Sequence, residues 1–271
     1  MLQRAGSGDH DECDAHEGER VDELPQHQGT GECSGGGFES DEDREDFLRA
    51  YVTTYIAEEI KAEGLVRDLG AYSRFLAVAA LTAGQRTNVS GLARDAGVAR
   101  DTTRGYFDVL VDTLIGGWLP AYRPRARVKE VALPKFYWFD AGVLNAAAGG
   151  FDQPLPADWT GVLLEHVIHH ELRAYLHYSS TRGSLGYWAT PSGTEVDFVW
   201  WHGTRMIAIE VKAAARFRSE FTNGIRSLRE THPDSQGYVV YRGSEELLVD
   251  DVRVLPVEAF LRTLHAGEVL V

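Results

Sequence analysis

Cysteine is nearly missing from this 271-residue chain: there are two, Cys13 and Cys33, and both precede residue 46. The remainder has no thiol from which to build a disulfide framework, so a reducing, cytoplasmic setting is expected. No apolar run approaches the roughly 18 residues that span a bilayer. The N-terminus is acidic rather than basic-then-apolar, so neither a membrane partner nor a signal peptide is expected. Lysine is scarce too, with four in all, and none follows a glycine. A phosphate-cradling loop needs successive glycine N–H groups, then Lys and Ser/Thr; no GxxxxGK[ST] occurs, and no ATP site is expected. No internal repeat is visible.

The net charge of -14 is concentrated at one end. Residues 1–46 hold 15 of the 41 acids and 3 of the 27 bases, which leaves 26 against 24 for a nearly neutral body. With 8 glycines and few large apolar residues, residues 1–45 cannot bury enough surface to offset the entropy of ordering and read as a disordered acidic tail. Cys13, His16, His27 and Cys33 are zinc-ligand types, but without an apolar scaffold around them they read as scattered tail residues.

From Asp46 onward, Phe47, Tyr51, Val52, Tyr55, Ile56 and Ile60 recur at three and four, which predicts an amphipathic helix ending near Gly64. A second helix is expected over Ala71–Ala83, closed by Gly84. In NVSGLARDAGVARDTTRGYFDVL (88–110), Ser90 is placed to cap a short helix, Gly97 to make a sharp turn, and Arg100 or Asp101 to open a helix with Tyr106, Phe107 and Leu110 inward. Trp118–Phe139 reads as a β hairpin with a charged tip. The whole resembles a winged helix-turn-helix. Nine bases against five acids between 85 and 135 would meet phosphate, with Arg100, Arg104, Arg125 and Arg127 as the DNA-binding candidates; equally, many such units only pack proteins together.

Asp140–Asp158 is a connector with one short helix. Gly161–Tyr178 is then expected as a strong helix whose apolar stripe carries Glu165, either a site carboxylate or a stem with its charge in water. His166, His169 and His170 read as a polar flank of that helix. The strongest chemical signal is GTEVDFVWWHGTRMIAIEVK (193–212), two alternating strands joined by a tight turn. With a His202-Gly203 loop, Glu195 falls opposite Glu210, and Asp197 sits one diagonal away, roughly 7–8 Å between α-carbons. Two or three carboxylates and Lys212 then share one face. Like charges so placed need open solvent or a cation, and Mg²⁺ (or Mn²⁺), which favours one or two carboxylates, would suit Asp197 and Glu210 while Lys212 steers a phosphate or water. A solvated face of mixed charge is the plainer alternative.

At these residues the chain resembles the PD-(D/E)XK nuclease superfamily, with Asp197 and Glu210 as implied metal ligands and Lys212 and Glu165 as implied catalytic residues. A second acid-x-Lys triplet, Glu59 to Lys61, lies in a helical pattern and lacks the paired acidic strand. More widely, FLRAYVTTYIAEEIKAEG, SRFLAVAALTAGQ, the 88–115 segment, PKFYWFDAGVL, EHVIHHELRAYL and EVDFVW…IEVK resemble the C-terminal half of a prokaryotic AAA ATPase family. That half joins a winged helix to a nuclease-like domain of unknown function. The resemblance implies an α/β (α+β) fold, a helical and winged-helix domain over 46–150 followed by a nuclease-like α/β domain over 151–271. It also implies a truncated, split or mis-started product lacking the ATPase half. Two functions follow: a Mg²⁺-dependent DNA-cleaving module, or a non-catalytic adaptor that binds DNA or a partner protein. Oligomeric state is not legible.

Overall fold

The computed structural model describes residues 40–56, 60, 66–123 and 133–270. Most of the expected disordered tail, residues 1–39 with Cys13, His16, His27 and Cys33, lies outside the described residues. Its last five residues depart from the expectation, because Asp41–Ala50 is a helix, α1, continued by a π-helical turn at Tyr51–Tyr55. The Ser40 hydroxyl accepts the Asp43 N–H at 3.1 Å. Asp41, Glu42 and Asp43 stand in the first turn, where the helix dipole favours negative charge. Acidity that composition assigns to a solvated tail is here an N-terminal helix signal.

The helix-turn-helix forms as its apolar spacing predicts. Leu69–Leu81 (α2) is capped by Asp68, which accepts the Ala71 N–H at 2.9 Å. Val89–Ala96 (α3) is capped by Asn88, not Ser90: the Asn88 side chain accepts the Gly91 N–H at 3.2 Å, and Ser90 lies inside the first turn. Gly97 ends α3 at φ +65°, a left-handed conformation costly for any residue with a Cβ. Arg100–Asp112 (α4) follows. Tyr72, Phe75, Tyr106 and Phe107 join α2 to α4 by edge-on ring pairs about 5 Å apart, Tyr72–Tyr106 at 5.0 Å and Phe75–Phe107 at 5.0 Å.

Gly116–Leu119 (β1) pairs antiparallel with Lys135–Trp138 (β2), as expected for the hairpin, whose tip at 124–132 lies outside the described residues. Alternation along β2 places its side chains in two cores. Phe136 and Trp138 join the helical core with Phe75, Phe107, Leu110 and Leu144, while Tyr137 packs with Ile168, Leu172, Phe198 and Trp200. Ala141–Ala147 (α5), capped by Asp140, leads to the long helix Trp159–Tyr178 (α6).

The second core is built on a six-stranded mixed sheet of Ser184–Ala189 (β3), Glu195–His202 (β4), Arg205–Lys212 (β5), Gln236–Tyr241 (β6), Leu247–Val249 (β7) and Val252–Pro256 (β8), in the order β3-β4-β5-β6-β8-β7. β3, β4 and β5 are antiparallel, β5, β6 and β8 parallel. One face (Phe198, Trp200, Ile207, Ile209, Val240) packs on α6 and on Val257–His265 (α8) through Ile168, Leu172, Phe260 and Leu264. The other (Val196, Val199, Ala208, Val239, Val254) packs on Phe221 and on Asn223–Arg229 (α7) through Ile225 and Leu228. The architecture is α/β, as expected.

The hairpin register corrects the sequence reading. His202 pairs with Arg205, so the loop is Gly203-Thr204, with φ +60° at Gly203. Asp197, rather than Glu195, thereby comes level with Glu210, just past the last paired rung, Phe198 with Ile209. On the other side of β4, Gly186 is opposite Val199 but Trp188 is opposite Val196, a bulge that inserts one residue beside Asp197. Val196 and Val199 consequently face the same core, and Glu195 is turned away from the Glu210 face.

α7 begins against the end of β4. A Cβ at Gly224 would stand 2.2 Å from the Glu195 carbonyl oxygen. Gly224→Ala is therefore expected to lower stability by about 1–3 kcal/mol, the usual cost of overpacking. Gly105→Ala, in α4 with nothing within 4 Å of the added carbon, should instead raise it by about 0.5–1 kcal/mol. Thermal or urea melts of both variants check the pair.

Candidate functional site

The site assembles where β4 and β5 part. Backbone pairing stops at Phe198, and the Asp197 side chain takes over, its Oδ2 accepting the Val211 N–H at 2.8 Å. That bond fixes the carboxylate between the strands. Glu210, on the next strand, is buried, and its Oε1 receives Lys212 Nζ at 2.5 Å while Oε2 has no hydrogen-bond partner. An unpaired buried carboxylate oxygen is costly in the absence of a donor or a cation. Burial, and then the neighbouring Asp197 charge, push the Glu210 carboxyl up to about 8 against the pull of Lys212 and of the Asp197 backbone N–H. Burial lowers the Lys212 ammonium, but the charges of Glu210 and Asp197 outweigh it and hold the group protonated.

Glu165 approaches from α6. Its Oε1 accepts the Tyr137 hydroxyl and lies 3.4 Å from Lys135 Nζ. Burial and Asp197 raise it to about 7, against the pull of Lys135 and Tyr137. Asp197 thus acts electrostatically on Glu165 and on Glu210 alike, and all four residues implied by the nuclease resemblance belong to one electrostatic network.

Two charged partners in this network were assigned otherwise by the sequence. Lys135, counted with the basic hairpin, is only 3% exposed; it sits 2.5 Å from Glu195 and does not face phosphate. Arg86, also counted there, is 3.3 Å from the other oxygen of Glu195. Glu195 meets them because the β4 bulge reverses its face. Lys135 and Tyr137 alternate with Phe136 and Trp138, and this i, i+2 signal in KFYW was available, but nothing local tells which core each parity enters. His166 and His169, expected on a polar flank, are buried against Tyr137, with ring centroids at 4.8 and 4.1 Å. His166 Nδ1 bonds the Val162 carbonyl at 2.8 Å, and burial lowers its pKa to about 4 and that of His169 well below the usual value, so both are neutral near pH 7. Only His170 of the three is exposed.

Residues 38–154 match a domain of unknown function (DUF8612), and residues 160–260 match a second domain of unknown function (DUF4143). No curated protein matches the chain. β2, with Lys135 and Tyr137, falls in the first matched region and Glu165, Asp197, Glu210 and Lys212 in the second, so the charge network is built from both.

Among the described residues, no group of three or more His, Cys, Asp or Glu side chains is arranged to hold a metal ion. Asp197 and Glu210, the latter with its unpartnered Oε2, are oxygen donors of the type a divalent cation takes. Arg100 and Arg104 are exposed at the start of α4, but Arg104 lies 3.3 Å from Asp101, and Asp108 and Asp112 are exposed on the same helix. Arg125 and Arg127 lie outside the described residues. No helix among the described residues is long and apolar enough to cross a membrane.

The raised glutamates predict an alkaline loss of stability. Carboxyls with folded pKa values about 7 and about 8, above their usual 4.5, give stability that is full below 4.5 and lost as pH rises through 7 and 8. His166, lowered from 6.5, works oppositely, but only below 6.5, so the decline above that pH belongs to the glutamates. In EDTA, wild type should lose stability between pH 6.5 and 9, with Glu210 contributing on the order of 2 kcal/mol. Glu210→Gln should flatten the decline and melt higher than wild type at pH 9; parallel melts at both pH values test this.

Proposed function

We propose that this chain is a DNA-binding, metal-dependent nuclease-like module without ATPase activity, equivalent to the C-terminal half of a prokaryotic AAA ATPase-family protein. The observation that carries the reading is the meeting of Asp197, Glu210 and Lys212 at the parted end of β4 and β5, with Glu210 Oε2 unpartnered. A cation would relieve the cost of that buried, unpaired carboxylate oxygen, and this supports the metal reading. Asp197 and Glu210 would hold one Mg²⁺ or Mn²⁺ ion, which when bound would neutralise charge developing on a phosphate. Lys212, charged and tied to Glu210, is positioned to hold a phosphate oxygen or orient water. Glu165, raised to about 7 by burial, is poised for proton exchange at the same end of the sheet.

The helix-turn-helix of α3 and α4 and the adjoining β1–β2 hairpin support the DNA partner. A second reading, a non-catalytic adaptor binding DNA or a protein, is favoured by the internal pairing of Glu195 with Lys135 and Arg86 and by the mixed charge of α4.

Calorimetric titration with Mn²⁺ should show binding by wild type that Asp197→Asn abolishes. Mg²⁺-dependent cleavage of plasmid or single-stranded DNA should fall on the order of 10²-fold in Asp197→Asn and in Lys212→Ala. Wild type that binds Mn²⁺ but cleaves neither substrate would favour the adaptor.

DNA affinity should weaken with salt, because neutralised phosphates release counterions. The Arg100→Ala, Arg104→Ala double variant should bind more weakly and lower the slope of log affinity against log salt by about 1–2. An unchanged slope in fluorescence-anisotropy titrations would place the phosphate contacts elsewhere.

A further inference from the structure

Four carboxylates, Glu165, Glu195, Asp197 and Glu210, share this end of the sheet, and the cations that face them are unequal in kind. Lys212 is partly exposed and reaches only Glu210 in a direct pair. Lys135 is enclosed. Its Nζ is 2.5 Å from Glu195 Oε1, 3.4 Å from Glu165 Oε1 and 5.2 Å from the centroid of the Tyr187 ring.

Its backbone is fixed as well. Lys135 pairs with Leu119 in the hairpin and bridges to Arg86, the Pro134 carbonyl accepts the Thr87 N–H at 2.9 Å, and the Tyr187 hydroxyl donates to the Leu133 carbonyl at 2.5 Å. A side chain held at both ends cannot swing to another partner. It is therefore a stationary positive charge. Tyr137, two residues along the same strand, completes the hold on Glu165 by donating to the same Oε1.

We propose that Lys135 is the resident cation of this site: it neutralises Glu165 and Glu195 from the hairpin side and leaves a divalent ion to Asp197 and Glu210 alone. The inference rests on the metal-binding reading above and deepens it. It departs from the nuclease resemblance, which makes Glu165 a participant in the acidic set, because here Glu165 already has an ammonium and a hydroxyl. It also gives a physical reason why no three-ligand cluster occurs among the described residues. The carboxylate left with a buried oxygen that has no hydrogen-bond partner is Glu210, which Lys135 does not pair with directly. Lys135 is thus a positioning residue, and it sets how tightly the site can hold a cation.

Mn²⁺ affinity measured by calorimetry, with electron paramagnetic resonance of free Mn²⁺ as a second readout, tests this in the full chain. Lys135→Met removes a fixed positive charge beside the site and should tighten Mn²⁺ binding about tenfold or more. The double variant Lys135→Met, Glu165→Gln removes the ammonium together with its carboxyl partner, and Arg86 still faces Glu195. Its affinity should return to within about threefold of wild type. The double variant carries the test should the single one fail to fold, since taking out both partners avoids leaving a lone buried charge.

Unchanged or weaker binding by a folded Lys135→Met overturns the proposal. So does a more than tenfold loss in the double variant, which would make Glu165 a metal ligand. Either result, with wild-type binding intact and abolished by Asp197→Asn, leaves the metal-binding reading standing. Binding by Lys135→Met but not by wild type supports the proposal. No Mn²⁺ binding by wild type or any variant overturns both.

Discussion

Buried carboxylates that face one another are the constraint on which this structure turns. Glu165 and Glu210 each feel the charge of Asp197, and each is raised toward neutrality by burial first and by that charge second. Lysine is rare in the chain, yet two of its four lysines are placed here. Lys135 and Lys212 divide the work: one is locked between Glu165 and Glu195, the other lies against Glu210 at the more exposed margin.

The placement of Lys135 follows from the alternation of one short strand. Phe136 and Trp138 must enter the helical core and Tyr137 the sheet core, so Lys135 must point toward the sheet domain's carboxylates. β2 is in this way a shared wall rather than a freely standing wing. Replacing Lys135 would act on both matched regions, because the pair it makes with Glu165 crosses from one to the other.

Much of the fold was legible because periodicity and caps are local. Helix α4, the Gly97 turn, the β4–β5 hairpin and the Asp197, Glu210 and Lys212 set all follow from spacing within a few residues. What escaped was long-range or a matter of one residue. The β4 bulge, which reverses Glu195, leaves no mark in an alternating sequence. The loop shifted by one position because Gly203 takes the first loop place, which brought Asp197 level with Glu210. Asn88 and Ser90 are both good caps, and only the start of α3 decides between them. The burial of His166 and His169 depends on Tyr137, some thirty residues distant.

The direction in which charge is left uncompensated weighs the two functional readings. Were the network purely structural, its most enclosed carboxylate would be the best paired, since an unpaired buried oxygen costs more than a bond returns. The reverse holds. Glu195 has two cations, Glu165 has a cation and a hydroxyl, and Glu210, buried and beside Asp197, has one lysine, the nearby Asp197 backbone N–H and an Oε2 without a hydrogen-bond partner. Compensation is fullest on the hairpin side and poorest between Asp197 and Glu210. The proposed cation site would need this distribution, its missing positive charge being supplied from solution, whereas a scaffold held together by its own ion pairs would not.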